Sequence, residues 1–199
     1  MQKLILATRN KGKLKEIKGI LNDLSIEINN LSDYSSIPEV VEDGETLEEN
    51  ALKKAREIFH LTGIPTLADD TGLEVLYLGM APGVISARYA GEKVSYDANN
   101  RKLLKELENI PLDKRTAQFR CVAAFIAKDI EKITEGICHG KIIDNLRGTG
   151  GFGYDPLFVP DGYDLTFAEL PIETKNHISH RAKAFQKMKL ILSAYFSTI

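Results

Sequence analysis

Apolar residues recur along several stretches of the chain at the spacing of a helix face. Leu14 and Ile17 begin one such face, and a longer one follows Thr46. Thr46 and Glu49 match a capping box, and Gly63 marks the point where that longer helix is expected to stop. The pattern predicts helices over residues 11–21, 46–63, 95–110 and about 179–196.

Short apolar runs between the helices predict strands. The stretches 115–128 and 132–143 are the longest, and the turn between them indicates a hairpin. Residues 81–91 are interpreted as a loop. Strands that alternate with helices, together with a hairpin, favour an α/β fold with a mixed sheet, and we expect one domain over 1–199. The predicted strands are 3–8, 25–29, 65–70, 73–80, 115–128, 132–143 and 157–159.

The composition narrows the class of protein. Of the 199 residues, 43% are hydrophobic and 27% charged, which is typical of a globular domain. The formal net charge of −2 gives no overall attraction to a nucleic-acid polymer or an acidic membrane, so neither is expected as a partner. Cys121 and Cys138 lie in predicted strands and are expected to be reduced. The apolar run Leu4–Ala7 is too short for a signal peptide, and the predicted location is cytoplasmic.

The segment "TRNKGK", residues 8–13, lies between a predicted strand and the start of a helix. Free N–H groups and the helix dipole favour an anion at such a position, and Arg9, Lys11 and Lys13 add positive charge. The alternative is a solvated turn that begins a basic helix face. The segment is not a P-loop, because it lacks the upstream glycine and has Leu14 where that motif needs Ser or Thr.

The segment "LADDTG" places Asp69 and Asp70 directly after an apolar run, which predicts that they lie at the C-terminal end of a strand. Ligands of open α/β sheets bind at that edge. Adjacent carboxylates repel unless a cation lies beside them, and Mg²⁺ suits a few carboxylates together with phosphate oxygens. The alternative is a pair of capping or turn aspartates.

The segment "GTGGFGYDP" has four glycines within residues 148–153. Phe152 and Tyr154 put flat rings beside a backbone that other groups can approach closely, which suits a stacked nucleobase. Asp155 could then accept a base N–H. The alternative is a flexible turn.

A fourth segment, "KNHISHRAKA", brings together Lys175, His177, His180 and Arg181 just before or within the first turn of the last predicted helix. Helix starts favour acidic residues, so cations there suggest contacts with phosphate or with a carbonyl oxygen of a base. Scattered surface cations are the alternative.

These segments carry a resemblance to a known family. The blocks "LATRNKGKLKEI", "EDGETLEENALKKA", "ADDTGLEV", "PGVISARYAG", "GTGGFGYDPLFV" and "ISHRAKA" occur in this order over nearly the whole chain. They closely resemble the inosine triphosphatase/Ham1-like family, the XTP/dITP diphosphatases. The resemblance implies hydrolysis of ITP, dITP and XTP to the monophosphate and pyrophosphate with Mg²⁺. It also implies an elongated mixed sheet flanked by helices, two lobes with the nucleotide site in the cleft between them, and a homodimer.

The resemblance assigns roles by matching position. Glu42 and Asp70 are expected to bind Mg²⁺, and Asp70 also to accept a proton from the attacking water or to position that water. Arg181 is expected to contact the nucleoside and its phosphates; from its position beside a helix start we predict a hydrogen bond to the 6-oxo group of the base, and contact with phosphates alone is the alternative. Arg9 departs from the family, because many members have a small residue there. The residues expected to contact substrate are Thr8, Arg9, Asn10, Lys11, Gly12, Lys13, Thr71, Phe152, Gly153, Tyr154, Asp155, Lys175, His180 and Arg181.

Two other functions remain open from the sequence. One is a Maf-like pyrophosphatase of modified pyrimidine nucleotides, which a substrate panel would separate from a purine enzyme. The other is a module that binds nucleotides without turnover, which the acidic residues Glu42 and Asp70 argue against, since simple binding does not need them.

Overall fold

The structure is a computed structural model, and it describes residues 2–34, 37–92 and 94–197. Its strands are β1 (Lys3–Leu6), β2 (Glu27–Asn30), β3 (Thr66–Val75), β4 (Thr116–Ala127), β5 (Ile130–Ile142) and β6 (Phe158–Pro160). Its α-helices are α1 (Lys11–Ile20), α2 (Leu47–Thr62), α3 (Tyr96–Glu106), α4 (Ile172–Ile178) and α5 (His180–Ser197).

The six strands form one mixed sheet in the order β2-β1-β3-β4-β5-β6. β1 is parallel to both of its neighbours, with Leu4 opposite Ile28 of β2 and Ile5 opposite Thr66 of β3. β5 and β6 are antiparallel, with Gly140 opposite Pro160. The predictions of a mixed α/β sheet and of neighbouring long strands β4 and β5 are therefore confirmed.

Helix α2 forms where the capping signals predicted it. Thr46 Oγ1 accepts a hydrogen bond from Glu49 N at 3.1 Å, and Glu49 Oε2 accepts one from Thr46 N at 3.3 Å. Gly63 ends the helix with a φ of 68°, which a residue without Cβ adopts at little cost. The helix face that begins at Leu47 is buried, and it also carries Asn50 and Lys54.

Two local predictions are wrong, and one helix was missed. One strand, β3, replaces the two that were predicted over 65–70 and 73–80, because the backbone stays extended and buried through Gly72. A side chain on Gly72 would meet Gly83 O at 2.5 Å, so the glycine permits a close approach of two backbone segments rather than a turn. Residues 81–91 contain a 3₁₀ helix, Gly83–Arg88, and α4 was not predicted at all.

The chain divides into two compact units, in accord with the two lobes that the resemblance implies. The first unit comprises Met1–Asp70, Cys121–Gly136 and His180–Ile199. Its core lies where α1 and α5 pack beside β1, and it includes Leu4, Phe125 and Phe185, all fully buried. A side chain on Gly136 would meet His180 O at 2.1 Å, so this glycine lets the start of α5 approach β5 closely.

The second unit comprises Thr71–Arg120 and Ile137–Ser179. Three aromatic rings fill its centre. The ring centroid of Phe158 lies 4.8 Å from that of Phe119 and 5.0 Å from that of Phe167. Leu103 of α3 is fully buried against the same cluster. Across both units, no helix in the described part of the chain combines the length and the apolar character that a membrane span needs.

Candidate active site

Asp69 and Asp70 lie inside β3 and not at its end, which corrects their predicted position. Successive side chains of a strand point to opposite faces of its sheet. The two carboxylates accordingly have different neighbours: Lys13 and Arg181 contact Asp69, whereas Asn50 contacts Asp70. The two adjacent acids therefore have different nearest side-chain partners, although Lys54 lies near both of them.

The centre around Asp70 is built by α2 and the segment before it. Asn50 Nδ2 donates to Asp70 Oδ2 at 3.1 Å, and Lys54 Nζ lies 3.7 Å from Asp70 Oδ1. Lys54 Nζ also donates to Glu42 Oε1 and to the main-chain oxygen of Asp69, both at 2.7 Å. Asn50 and Lys54 lie one helical turn apart, so one face of α2 serves the whole centre.

Burial raises the pKa of Asp70 above its usual value. Lys54 and Lys13 oppose this effect, while the negative charges of Glu42 and Asp69 add to it. The Asp70 side chain is 7% exposed and that of Glu42 36%. The centre therefore joins a buried carboxylate that is more basic than an ordinary aspartate to a second, more accessible carboxylate.

Gly44 brings the segment that carries Glu42 close to α2. Its main-chain N donates to Asn50 Oδ1 at 2.8 Å, and a Cβ at this position would stand 2.8 Å from that same oxygen. Both polar atoms of the Asn50 amide are thus used, one by Gly44 and the other by Asp70. The amide is held in the orientation that directs its N–H toward the carboxylate.

The centre around Asp69 is more fully buried. Lys13 Nζ lies 3.0 Å from Asp69 Oδ2, and Arg181 Nε donates to the same oxygen at 3.4 Å. Arg181 Nη1 donates to Glu16. Burial alone would raise the pKa of Asp69, but the positive charges of Lys13, Arg181 and Lys54 outweigh it and hold that pKa well below its usual range. Asp69 is therefore an ionised anchor for these cations.

The first predicted phosphate segment lies at the start of α1, as expected. Asn10 caps the helix, and its Oδ1 accepts from Gly12 N at 2.9 Å and from Lys13 N at 3.1 Å. Burial alone would lower the pKa of Lys13, but Asp69 and the other nearby acids raise it, so the ammonium stays charged. Arg9 donates to Ile37 O at 2.8 Å. Thr8 Oγ1 accepts from Asn10 N at 3.2 Å, and Lys11 is exposed.

The glycine-rich segment, residues 148–155, is held from within the second unit. Asp155 Oδ2 accepts from Phe152 N at 2.7 Å and from Lys175 Nζ. Lys175 Nζ also lies 5.2 Å from the centroid of the Phe152 ring. Tyr154 is buried in the core, and its hydroxyl donates to Ser86 O at 2.9 Å. Phe152 and Gly153 remain partly exposed, whereas Tyr154 and Asp155 are buried.

The remaining predicted residues occupy three elements. Thr71 continues β3 and is partly exposed. Lys175 belongs to α4 and not to the last helix, while His180 and Arg181 are the first two residues of α5. His180 and Arg181 are 2% and 1% exposed, and the contacts of Arg181 described above are with Glu16 and Asp69. Its predicted contact with the base stays a prediction.

Three polar residues of these centres were not predicted from the sequence: Glu16, Asn50 and Lys54. Each lies on the apolar face of its helix, Glu16 beside Ile17 in α1 and the other two among Leu47, Ala51 and Ile58 in α2. A polar side chain on a buried helical face needs a partner in the interior. That signal was present in the sequence and could have identified all three.

Comparison with known proteins extends over nearly the whole chain. A sequence model of the Ham1 family matches residues 4–191. The dITP/XTP pyrophosphatase of Geobacter sulfurreducens is 53% identical over 190 residues, which are 95% of this chain and 96% of its own. That of Desulforamulus reducens is 50% identical over 98% of this chain and 97% of its own. The solved structure of a HAM1 protein from Coxiella burnetii matches with a TM-score of 0.88 and 38% identity, and the match covers 98% of this chain and 100% of that one.

Proposed function

The chain belongs to the Ham1 family, and from that membership we infer that it hydrolyses non-standard purine nucleoside triphosphates such as dITP and XTP. The products are the monophosphate and pyrophosphate. The observation that carries this inference to particular residues is the Asp70 centre, where a buried carboxylate faces Asn50 and Lys54 with Glu42 beside it.

Asp70 has the properties of a proton acceptor. Burial raises its pKa, so the carboxylate takes a proton more readily than an exposed aspartate does. Asn50 Nδ2 holds Oδ2, and Lys54 lies nearer to Oδ1. We propose that Asp70 accepts a proton from the water that attacks the α-phosphorus, and that Asn50 orients the Asp70 carboxylate.

We assign the phosphates to cations of the first unit. Lys13 follows the cap of α1 and stays charged beside Asp69, which also fixes the position of its ammonium group. A positioned ammonium group stabilises charge on phosphate oxygens as pyrophosphate leaves. Residues 8–12 belong to the same loop and helix start, and we propose that they bind the phosphates together with Lys13. The supporting observation is their placement at a helix N-terminus, where anions bind favourably.

Glu42 and Asp70 fit a magnesium ion. Glu42 Oε1 lies 2.7 Å and Asp70 Oδ1 3.7 Å from Lys54 Nζ, so the two carboxylates lie near one another and this ammonium group balances part of their charge. No group of three or more His, Cys, Asp or Glu residues in the described part of the chain could hold a metal, and Mg²⁺ commonly takes only one or two carboxylates besides phosphate and water. When bound, the ion would withdraw charge from the phosphate oxygens.

We assign the nucleobase to Phe152 in the second unit. Its ring is partly exposed, and Lys175 and Asp155 hold the segment that carries it. A base that stacks on such a ring gains about 1–3 kcal/mol. Asp155 already accepts hydrogen bonds from Phe152 N and Lys175 Nζ. We therefore propose that, without substrate, it holds this segment in place.

We also propose a homodimer. Four apolar side chains on the surface of the second unit, Leu76, Tyr77, Met80 and Ile85, are between 41% and 52% exposed. All four lie between positions 76 and 85 of the chain, and apolar side chains that are exposed together mark contacts with other proteins. Light scattering after size exclusion should give twice the mass of the 22.1 kDa chain, and Tyr77→Glu should shift it toward the monomer. A monomeric wild-type protein at micromolar concentration would exclude this proposal.

The cytoplasmic location remains a proposal of the same kind. It rests on the proposed substrates, since free nucleoside triphosphates are the pool on which such an enzyme acts.

Pyrophosphate release tests the function directly. The panel comprises dITP, XTP, ITP, ATP, GTP and a modified pyrimidine triphosphate, each with Mg²⁺ and with a chelator. We expect dITP and XTP to be hydrolysed at least 100-fold faster than ATP, because adenine mismatches the polar groups of a 6-oxopurine site. Preference for the pyrimidine would favour the Maf-like alternative, and binding without turnover would favour the non-catalytic module. Undiminished turnover in the chelator would remove Mg²⁺ from the proposal.

A further inference from the structure

Helix α3 presents two side chains to the segment that carries Phe152. Asn100 Nδ2 donates to Gly153 O at 3.1 Å. Tyr96 lies one helical turn earlier, and its ring centroid is 6.1 Å from that of Phe152. Because residues four apart share one face of a helix, a single face of α3 contacts both Phe152 and the residue after it.

Packing alone does not account for an asparagine at position 100. The residue is 4% exposed, and its Oδ1 is buried without a hydrogen-bond partner in the described part of the chain. Burying such an acceptor is costly, and an apolar side chain would avoid that cost. What the amide provides is its N–H, and that group is directed to the carbonyl of Gly153.

The bond to Gly153 completes the restraint of Phe152. Phe152 N donates to Asp155 Oδ2 at 2.7 Å, and the carbonyl oxygen of the next residue, Gly153, accepts from Asn100 Nδ2 at 3.1 Å. Gly153 has a φ of 64°, and because glycine lacks a Cβ its own side chain does not restrict the backbone to this conformation. The backbone is thus restrained on both sides of the Phe152 side chain, by Asp155 on one side and by Asn100 on the other.

We propose that Asn100 is a positioning residue for nucleobase binding, acting through the carbonyl of Gly153 on the ring of Phe152. Tyr96 limits the movement of that ring from the same face of α3. The proposal rests on the proposed function, in which Phe152 stacks on the base. Neither α3 side chain is required to touch the substrate, and the reacting phosphates are not involved.

The test compares Asn100→Ala and Asn100→Asp with the wild type. The first variant removes the donated bond, and the second keeps the shape of the side chain but turns a carboxylate oxygen toward the Gly153 carbonyl. Leu104→Ala is the control, because Leu104 is a partly buried residue of the same helix that packs on the core. Measured are kcat and KM for dITP, the inhibition constant of inorganic tripolyphosphate, which has no base, and the melting temperature.

We expect Asn100→Ala to raise KM for dITP about threefold to tenfold, the range for one neutral hydrogen bond, with a smaller effect on kcat. Asn100→Asp should raise it more. The inhibition constant of tripolyphosphate should stay within about twofold of the wild-type value in both variants, and Leu104→Ala should lower the melting temperature without changing KM.

Three results would overturn the proposal: an unchanged KM for dITP in both Asn100 variants, an equal rise in the tripolyphosphate constant, or the same rise of KM in Leu104→Ala. The wild type is measured first, so that failure of the proposed function is seen separately. If the wild type does not hydrolyse dITP at all, the proposed function fails, and the Asn100 proposal fails with it.

Discussion

Asp70→Asn is the sharpest test of the candidate active site, because it removes one charge and keeps the shape of the side chain. Asn50 Nδ2 can still donate to the remaining oxygen of the new amide, so the local packing is preserved. Lys54, 3.7 Å from Oδ1, loses a partner worth about 4 kcal/mol at an effective dielectric constant near 20. Taking that carboxylate out of water costs a similar amount, so the two effects largely offset each other.

We therefore expect the free energy of unfolding to change by less than about 2 kcal/mol, while turnover of dITP falls at least about 100-fold, the lower range for a positioned acid–base group. The assays are continuous pyrophosphate release at saturating dITP and urea unfolding of the same preparation. The inhibition constant of tripolyphosphate should change much less than kcat, because Lys13 and the start of α1 are untouched.

Asp69→Asn is the matched control. It makes the same chemical change one residue away, on the other face of β3, where Lys13 and Arg181 depend on the carboxylate. Removing one partner of a buried charge network costs about 3–5 kcal/mol, so this variant should lose stability. Its turnover per folded molecule should fall less than that of Asp70→Asn. Near-normal turnover of Asp70→Asn, or an equal loss in both variants, would refute the assignment of the proton acceptor to Asp70.

Three further predictions concern Arg181, the phosphorus that is attacked, and Tyr89. Arg181→Ala should lower stability by about 3–5 kcal/mol, because Glu16 and Asp69 each lose one charged partner. If Arg181 donates to the base, the ITP-to-ATP ratio of kcat/KM should also fall about 10- to 150-fold, and an unchanged ratio would limit its role to those two acids. Hydrolysis in ¹⁸O-water should place the label in the monophosphate, and label found only in pyrophosphate would contradict attack at the α-phosphorus. Burial and the hydrogen bond to Glu106 raise the pKa of Tyr89, so its contribution to stability is complete below about pH 10 and is lost as the pH rises further. Tyr89→Phe should thus cost about 1.5 kcal/mol at pH 8 and less at pH 11, and a cost independent of pH in urea unfolding would contradict this assignment.

The helices and the long strands could be predicted because their signals are local. The capping box of Thr46 and Glu49, the terminal glycine at 63 and the apolar spacing of α2 all act within a few residues of one another. The boundary within β3 could not be predicted in this way. Asp, Asp, Thr and Gly form a typical turn sequence, and only the cover provided by α2, Lys13, Arg181 and the backbone at Gly83 makes an extended, buried conformation favourable there.

The same limit applies to the partners within the site. Asp70 could be chosen from the sequence, but Lys54 and Asn50 could not be joined to it without knowing which face of α2 meets β3. Arg181 illustrates the opposite case. A cation at a helix start suggests an external anion when the sequence is considered alone, yet Glu16, 165 residues away in the chain, supplies an internal one. Asp69, the other acid that Arg181 contacts, is also far from it in the sequence. No local pattern could therefore have revealed either contact.

The alternation of β3 explains how one short segment can serve two chemical purposes. Two neighbouring aspartates in one environment would compete for the same cations and would have similar pKa values. Because the strand directs them to opposite faces, Asp69 lies among three cations and stays ionised, while Asp70 has a raised pKa beside an amide and one ammonium group. Lys54 links the two centres, since it donates to the main-chain oxygen of Asp69 and lies beside the carboxylate of Asp70. A break in the strand at this point would remove the separation, so the continuous β3 provides the two different environments on which the proposed role of Asp70 as proton acceptor depends.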